Sequence, residues 1–569
     1  MIILHLCALL SLGAAQFVPP PTDLIHTKGH KYDVRYKQVT NGTCELTPGV
    51  KSFSGYVDIA PEQHMFWWFF ETRHGNPRDA PLTIWINGGP GSSSMIGLFQ
   101  ELGPCRIDVN GEVYNNPYSW NNESNILFID HPAQVGFSYS VPVPAYQSEA
   151  GSIVSLPNAT CPSWADGCGT YSYPNLTDTV NSTLAGAVTM WETLQGFFGA
   201  FPQYTREEVI LATESYGGHY GPVFNDYLVQ QNTKIKSGKL PGAQIINLRA
   251  VLIGNGWYDP LINYQAYYNF TVNPGNTYDY FPFNKSIEQQ MFNALYGKGN
   301  CRDMTADCYA TGTDEVCSAA DTFCANEVES LLDNIGRDEY DIRYLTPHPF
   351  PHSFFTDYLN KPKVQNAIGA FVNYSESSNT VYTAFQSTGD DDREDGTIEA
   401  VRRLVAQGIY VVQYYGDADY NCNWLGGQVV ADKIAAPGYM NSGFVNFTDS
   451  THTVYGQVRQ SANYAFVRIY YAGHMAPFYQ PVIALEMLKR AIGGRDIATG
   501  RERVHKGRHY CTVGPKESTF REGIETVTFE VLPEGATYNF TTHRPNAAGN
   551  GTAGNGRRWM GKRGPVRLG

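Results

Sequence analysis

Brief apolar runs alternate with longer amphipathic stretches through much of the chain. LTIWI (82–86), NILFID (125–130), EVILAT (208–213) and AVLIG (250–254) have the pattern of strands covered on both faces. Between the second and third, residues 178–198 have helical composition, with Asp178 placed to cap the start. After Ser215, Tyr220, Val223, Phe224, Tyr227 and Leu228 recur at the spacing of one apolar helix face. Core-like strands return at GIYVVQYYGD (408–417) and AFVRIYYAGH (465–474), followed by a helical segment at 481–494. This alternation predicts an α/β fold with a mostly parallel central sheet and helices on both faces.

The pattern changes at several points. Residues 1–15 read as a cleaved secretory signal, an apolar run too short to span a bilayer, ending in small residues. Residues 16–45, Pro-rich and then polar, read as a surface lead-in to a first core part that extends over 16–257. Residues 258–385 are rich in Tyr, Asn and Pro, carry four clustered cysteines and lack buried-strand runs. They are expected to be a helical, disulfide-pinned insertion capping the mouth of the sheet. A second core part (386–510) follows, then an extension (511–541) and a Gly/Asn/Arg-rich tail (542–569) expected to be disordered. The tail is not hydrophobic, so no GPI anchor is expected.

Composition narrows the function classes. A formal net charge of −13 argues against a nucleic-acid partner. Asn-x-Ser/Thr sequons at Asn41, Asn122, Asn158, Asn175, Asn181, Asn269, Asn284, Asn373, Asn446, Asn539 and Asn550 predict a secreted glycoprotein. Outside the signal, Cys44, Cys105, Cys161, Cys168, Cys301, Cys308, Cys317, Cys324, Cys422 and Cys511 form no CxxC pair, which argues against zinc ribbons and thioredoxin-like motifs. The symmetric spacing of Cys301, Cys308, Cys317 and Cys324 allows two nested bridges, 301–324 around 308–317.

Candidate chemistry sits at predicted strand ends. In VILATESYGGHYGP (209–222), Ser215 lies between a strand and a helix, where a sharp turn exposes a nucleophile and demands small neighbours. The usual G-x-S-x-G is departed from at Thr213, so the turn is expected to be opened or repacked. NGGPG (87–91) follows a strand directly and can aim a backbone N–H at a developing oxyanion. YYGDADYNCNW and YYAGHMAP place a carboxylate and a histidine after two later strands. The chain order Ser, Asp, His is that of α/β-hydrolases.

WINGGPGSSS, FQELGP, FIDHPAQVGFSY, TESYGGHYGP, GDADYNCNW and AGHMAPFYQP together resemble the serine carboxypeptidase family over roughly 50–500, most of all its secreted fungal branch. The resemblance implies Ser215 as nucleophile, His474 as general base and Asp419, three residues before Cys422, as its partner. It implies Gly89 and Tyr216 as backbone oxyanion donors, and Asn87, Glu101 and Glu214 as the grip on a substrate's terminal carboxylate. Two glutamates hold a third carboxylate only if they share a proton. Cys422 and Met475 are implied to line the pocket for the departing side chain. By the same resemblance the 301–324 and 308–317 pairings recur, and Cys44–Cys105 is an expected further bridge. The pairing of Cys161 with Cys168 stays open, as does Cys422, free or bridged to Cys511. Ser92 stands where many family members have a disulfide cysteine. The implied enzyme needs no cofactor or metal, acts on peptides and proteins with a free C-terminus, and releases single residues in acid through an acyl-enzyme. An acyltransferase or esterase on the same fold, and a catalytically silent binding scaffold, are the alternatives.

Overall fold

Residues 25–39 form a hairpin where a surface lead-in was expected. Its strands are β1 (Ile25–Gly29) and β2 (Tyr32–Val39), antiparallel to one another. Tyr32 and Val34 are buried, whereas Asp33 between them is exposed, so a period of two lies within the polar composition. The computed structural model describes residues 17–504 and 510–546. The expected signal, the sequon at Asn550 and residues 547–569 lie outside the described residues.

The remaining sheet strands are β3 (Ser52–Ala60), β4 (Gln63–Phe70), β5 (Leu82–Ile86), β6 (Asn125–Ile129), β7 (Val209–Glu214), β8 (Leu248–Gly254), β9 (Tyr410–Gly416), β10 (Val445–Thr448), β11 (Val454–Ser461) and β12 (Tyr464–Ile469). They form one twelve-stranded sheet in the order β1-β2-β3-β4-β6-β5-β7-β8-β9-β12-β11-β10. The centre, β6 through β12 in that order, is parallel. Both flanks are antiparallel, so the sheet is mixed.

Alternate residues of the central strands feed two apolar layers. Leu211 and Val251 pack on one face with Met190 and Phe197 of α1 (Thr183–Ala200) and Phe224 of α2 (Gly217–Lys236). Ile210 and Leu252 pack on the other, with Ile483 and Met487 of the helix Pro481–Ile492. Helix α1 is capped by Ser182, whose side chain accepts from the Ala185 N–H; Asp178 lies in a separate short turn before it.

Between β8 and β9 the sheet receives no strand, and the chain forms helices that include Pro260–Thr271, Cys301–Thr311 and Asp314–Cys324. The last two are joined by Cys301–Cys324 and Cys308–Cys317. Among the described residues Cys44–Cys105 and Cys161–Cys168 are the other disulfides, while Cys422 is buried and free and Cys511 exposed and free. Among the described residues no helix is long and apolar enough to cross a membrane.

Asn41, Asn158, Asn181, Asn284 and Asn446 are exposed, and Asn122, Asn175, Asn269 and Asn539 partly so. Asn373, by contrast, is only 5% exposed; its Oδ1 accepts from Thr170 N and its Nδ2 donates to Asn360 Oδ1.

The C-terminal segment runs back over the sheet. Thr512 N donates to Gln460 O at the end of β11, and Thr528 N to Arg343 O in the insertion. Arg468 of β12 donates to Ser518 Oγ and Phe520 O, and Glu522 Oε1 accepts from Tyr471 N. Beyond residue 542, where disorder was expected, Arg544–Pro545 pair with Tyr538–Asn539.

Candidate active site

Strand β7 lies between β5 and β8, so its C-terminal end opens at the middle of the sheet. There Ser215 takes φ +66°, the left-handed region that a residue with a Cβ rarely adopts. Its N–H donates to Gly254 O, and its carbonyl accepts from Gly218 N and Trp257 N, so the bend is fixed from three sides. Small neighbours are required. A Cβ on Gly218 would meet Trp257 O at 2.1 Å, and one on Gly217 would meet Thr213 Cβ at 2.5 Å. Thr213 is accommodated because its Oγ1 donates to Gly217 O at 2.9 Å, against a helix start with no side chain to oppose it.

The NGGPG loop is seated on this bend. A Cβ on Gly88 would lie 2.4 Å from Tyr216 N and 2.6 Å from Glu214 O, and Gly89 has φ +110°. The Tyr216 N–H, at the start of α2, has no carbonyl four residues back to bond within the helix.

The two aspartates after β9 have separate surroundings. Asp419 Oδ2 accepts from His474 Nδ1 and Asn255 Nδ2, each at 2.8 Å, and from Cys422 N at 3.2 Å. Asp417 faces Arg468 at 3.2 Å and accepts from Tyr278 Oη at 2.9 Å. His474 N donates to Tyr340 O, and the Tyr340 ring meets the imidazole edge-on at 4.9 Å. Burial pushes the His474 pKa down, but Asp419 and then Glu101 more than offset this, so it lies above the ordinary histidine value.

Asn87 has its acceptor committed: Oδ1 takes bonds from Trp85 Nε1 at 2.7 Å and Gly97 N at 3.1 Å, which turns its NH2 the other way. Glu101 and Glu214 are 1% and 2% exposed, and each is close enough to perturb the other. Burial drives Glu101 up to about 7, against the pull of Glu214, His474, Arg106 and Asn87. Burial and the Glu101 charge raise Glu214 well above a normal glutamate. Both carboxyls are therefore biased toward the protonated form. Cys422 is buried at Asp419, and the half-buried Met475 follows His474 directly. Burial and the Asp419 charge raise the Cys422 thiol pKa far above its usual range, keeping it protonated.

Asn255 and Tyr340 were not singled out from the sequence. Asn255, at φ +40° after β8, also accepts from Gly416 N at 3.0 Å. The Asn255-Gly256 pair that follows AVLIG was its only sequence signal, a turn mark without a stated partner. Tyr340 comes from the insertion, 134 positions from His474 in the chain, and carries no local signal (474 − 340).

A strand–bend–helix bearing a serine, a histidine bonded to an aspartate and a glycine loop against the bend define an α/β-hydrolase. The serine carboxypeptidase family matches residues 43–494, and the chain belongs to it as a serine-type carboxypeptidase. It is 38% identical to carboxypeptidase S1 homolog B of Arthroderma otae, over 90% of this chain and 85% of that one. It is also 38% identical to carboxypeptidase S1 of Penicillium janthinellum, over 81% of this chain and 99% of that one. A prohormone-processing carboxypeptidase of Saccharomyces cerevisiae has the same fold, with TM-score 0.65 and 23% identity over 86% of this chain and all of that one.

Proposed function

We propose that the protein is a secreted carboxypeptidase that removes single residues from peptide C-termini in acid through an acyl-enzyme. The observation that carries this is the buried Glu101–Glu214 pair beside Asn87, next to the Ser215 bend. A substrate without a terminal carboxylate has no use for it.

In this reading Ser215 Oγ attacks the last peptide carbonyl while His474 takes its proton. The oxyanion is met by the N–H groups of Gly89 and Tyr216. His474 then returns the proton to the departing amino acid, and water repeats the sequence on the ester. Asp419 holds the imidazole in the tautomer that leaves the second nitrogen free to accept. Cys422 and Met475 shape the space taken by the departing side chain. The shared-proton pair and the Asn87 amide donate to the substrate carboxylate. Secretion is supported by the signal-like start, the exposed sequons and the four disulfides.

The sign of the pH response follows. Burial raises both groups, so the pair stays protonated beyond the ordinary glutamate range, and Glu101 gives up its proton as pH rises through about 7. The negative charge gained by the pair then repels the substrate's own carboxylate. KM for a free-acid peptide is expected to rise at least tenfold between pH 5 and 8, and KM for its C-terminal amide to stay nearly flat. On the acid side kcat falls as His474 protonates; neutralising Glu101 removes one of the charges that favour that protonation. Mass spectrometry of a peptide incubated at pH 5 should show a ladder shortening from the C-terminus. Internal cuts, or parallel KM profiles for acid and amide, would overturn the reading.

A further inference from the structure

The run GDDDREDG (389–396) carries four aspartates in six positions and reads as a solvated acidic loop. It is folded inward instead. Asp390 and Asp392 are fully buried, and the side chain of Asp395 is 1% exposed. They surround His219, on the first turn of α2, which is itself fully buried.

Each of the four carboxylates has an oxygen without a hydrogen-bond partner. Asp390 Oδ2 accepts from Thr183 N at 2.8 Å, Thr183 Oγ1 at 2.7 Å and Tyr216 Oη at 2.6 Å, while Oδ1 has no partner. Asp392 Oδ2 accepts from Thr305 Oγ1, and its Oδ1 is bare. Asp391 Oδ1 and Asp395 Oδ2 are bare as well. Neither ring nitrogen of His219 makes a hydrogen bond, and Nδ1 stands 3.5 Å from Asp395 Oδ2. Arg393, in the same loop, turns away to Gly312 O, Thr388 O and Asp314. His219 faces Asp395 as one counter-charge, but the buried carboxylates outnumber it, and neither ring nitrogen is hydrogen-bonded, which leaves the imidazole able to act as a ligand. One ligand atom each from His219, Asp390 and Asp395 fit within 4.8 Å of one another.

We infer that His219, Asp390 and Asp395 bind one divalent transition-metal ion, the nitrogen-and-carboxylate set suiting Zn²⁺. A tetrahedral shell sets ligand atoms roughly 3.3 Å apart, so the three side chains close by on the order of 1 Å. Thr183 and the Tyr216 hydroxyl orient Asp390 from behind, as outer-shell partners do. The ion ties the start of α1, the first turn of α2 and the 389–396 loop together behind Tyr216. Its role is structural, and it takes no part in the peptidase reaction.

The test uses the full-length protein, stripped with a chelator at neutral pH and dialysed against Zn²⁺, with bound metal measured by mass spectrometry. About one equivalent is expected, with a rise in Tm on adding Zn²⁺. Asp395→Asn should weaken binding at least tenfold and abolish the zinc-dependent rise. It also removes the carboxylate that faces His219 at 3.5 Å, so each variant is compared with its own metal-free form and only the zinc-dependent rise is read. Cys422→Ser should keep the ion, which separates this site from Asp419, Cys422 and His474, the other group among the described residues able to gather three ligands. No bound zinc and no Tm shift in the wild type, unchanged binding in Asp395→Asn, or loss in Cys422→Ser would each refute the inference. None of these readouts depends on peptidase activity.

Discussion

Ser215→Ala is expected to lower kcat/KM by about 10⁴-fold or more, the usual effect of deleting an activated nucleophile, with KM little changed. Labelling by an organophosphonate should disappear with it. A second substitution separates chemistry from folding. Ser215 sits at φ +66°, a conformation that costs a non-glycine residue on the order of 1 kcal/mol, and glycine adopts it freely. Ser215→Gly should therefore be as inactive as the alanine variant yet unfold at a higher temperature than wild type. An active Ser215→Ala enzyme would remove the serine from the mechanism, and a destabilised glycine variant would remove strain from the bend.

The second large effect distinguishes Asp417 from Asp419, two residues apart in Gly416-Asp417-Ala418-Asp419. Asp419→Asn should reduce kcat by about 10³- to 10⁴-fold through loss of the imidazole tautomer, with little change in Tm. Asp417→Asn removes one partner of an ion pair in which both side chains are fully buried. Breaking such a pair costs about 3–5 kcal/mol, so this variant should unfold early while each folded molecule keeps its turnover. Steady-state kinetics beside thermal denaturation of both variants would decide the point. An exchange of the two phenotypes would show that the partner of His474 is misassigned.

The central strands were legible because residues buried on both faces leave apolar runs without alternation, and LTIWI coincides with β5. The first hairpin was not, because an edge pair alternates and its polar half dominates the composition: Asp33, Arg35 and Lys37 obscure Tyr32 and Val34. Asp178 was a plausible cap by type, but a short turn intervenes and Ser182 takes the role. At the site, residues carried by short motifs could be read in advance, since the bend and the glycine loop impose local steric demands. Asn255 and Tyr340 could not, because they act only through contacts made across the chain. Nor does the sequence of 389–396 reveal its burial: a string of aspartates looks the same whether it faces water or His219.

Arg468 and Tyr471 explain why the C-terminal segment cannot be treated as an appendage. Its residues 518–522 bracket β12 just before the turn that delivers His474, and the same arginine grips Asp417 on the neighbouring loop. Trimming the protein to its family-matched part, which stops at 494, would withdraw that brace from two triad-bearing loops at once. Such a shortened version should fold poorly or work slowly even though every motif is retained, and protease nicks near 515–525 should silence the enzyme from a distance.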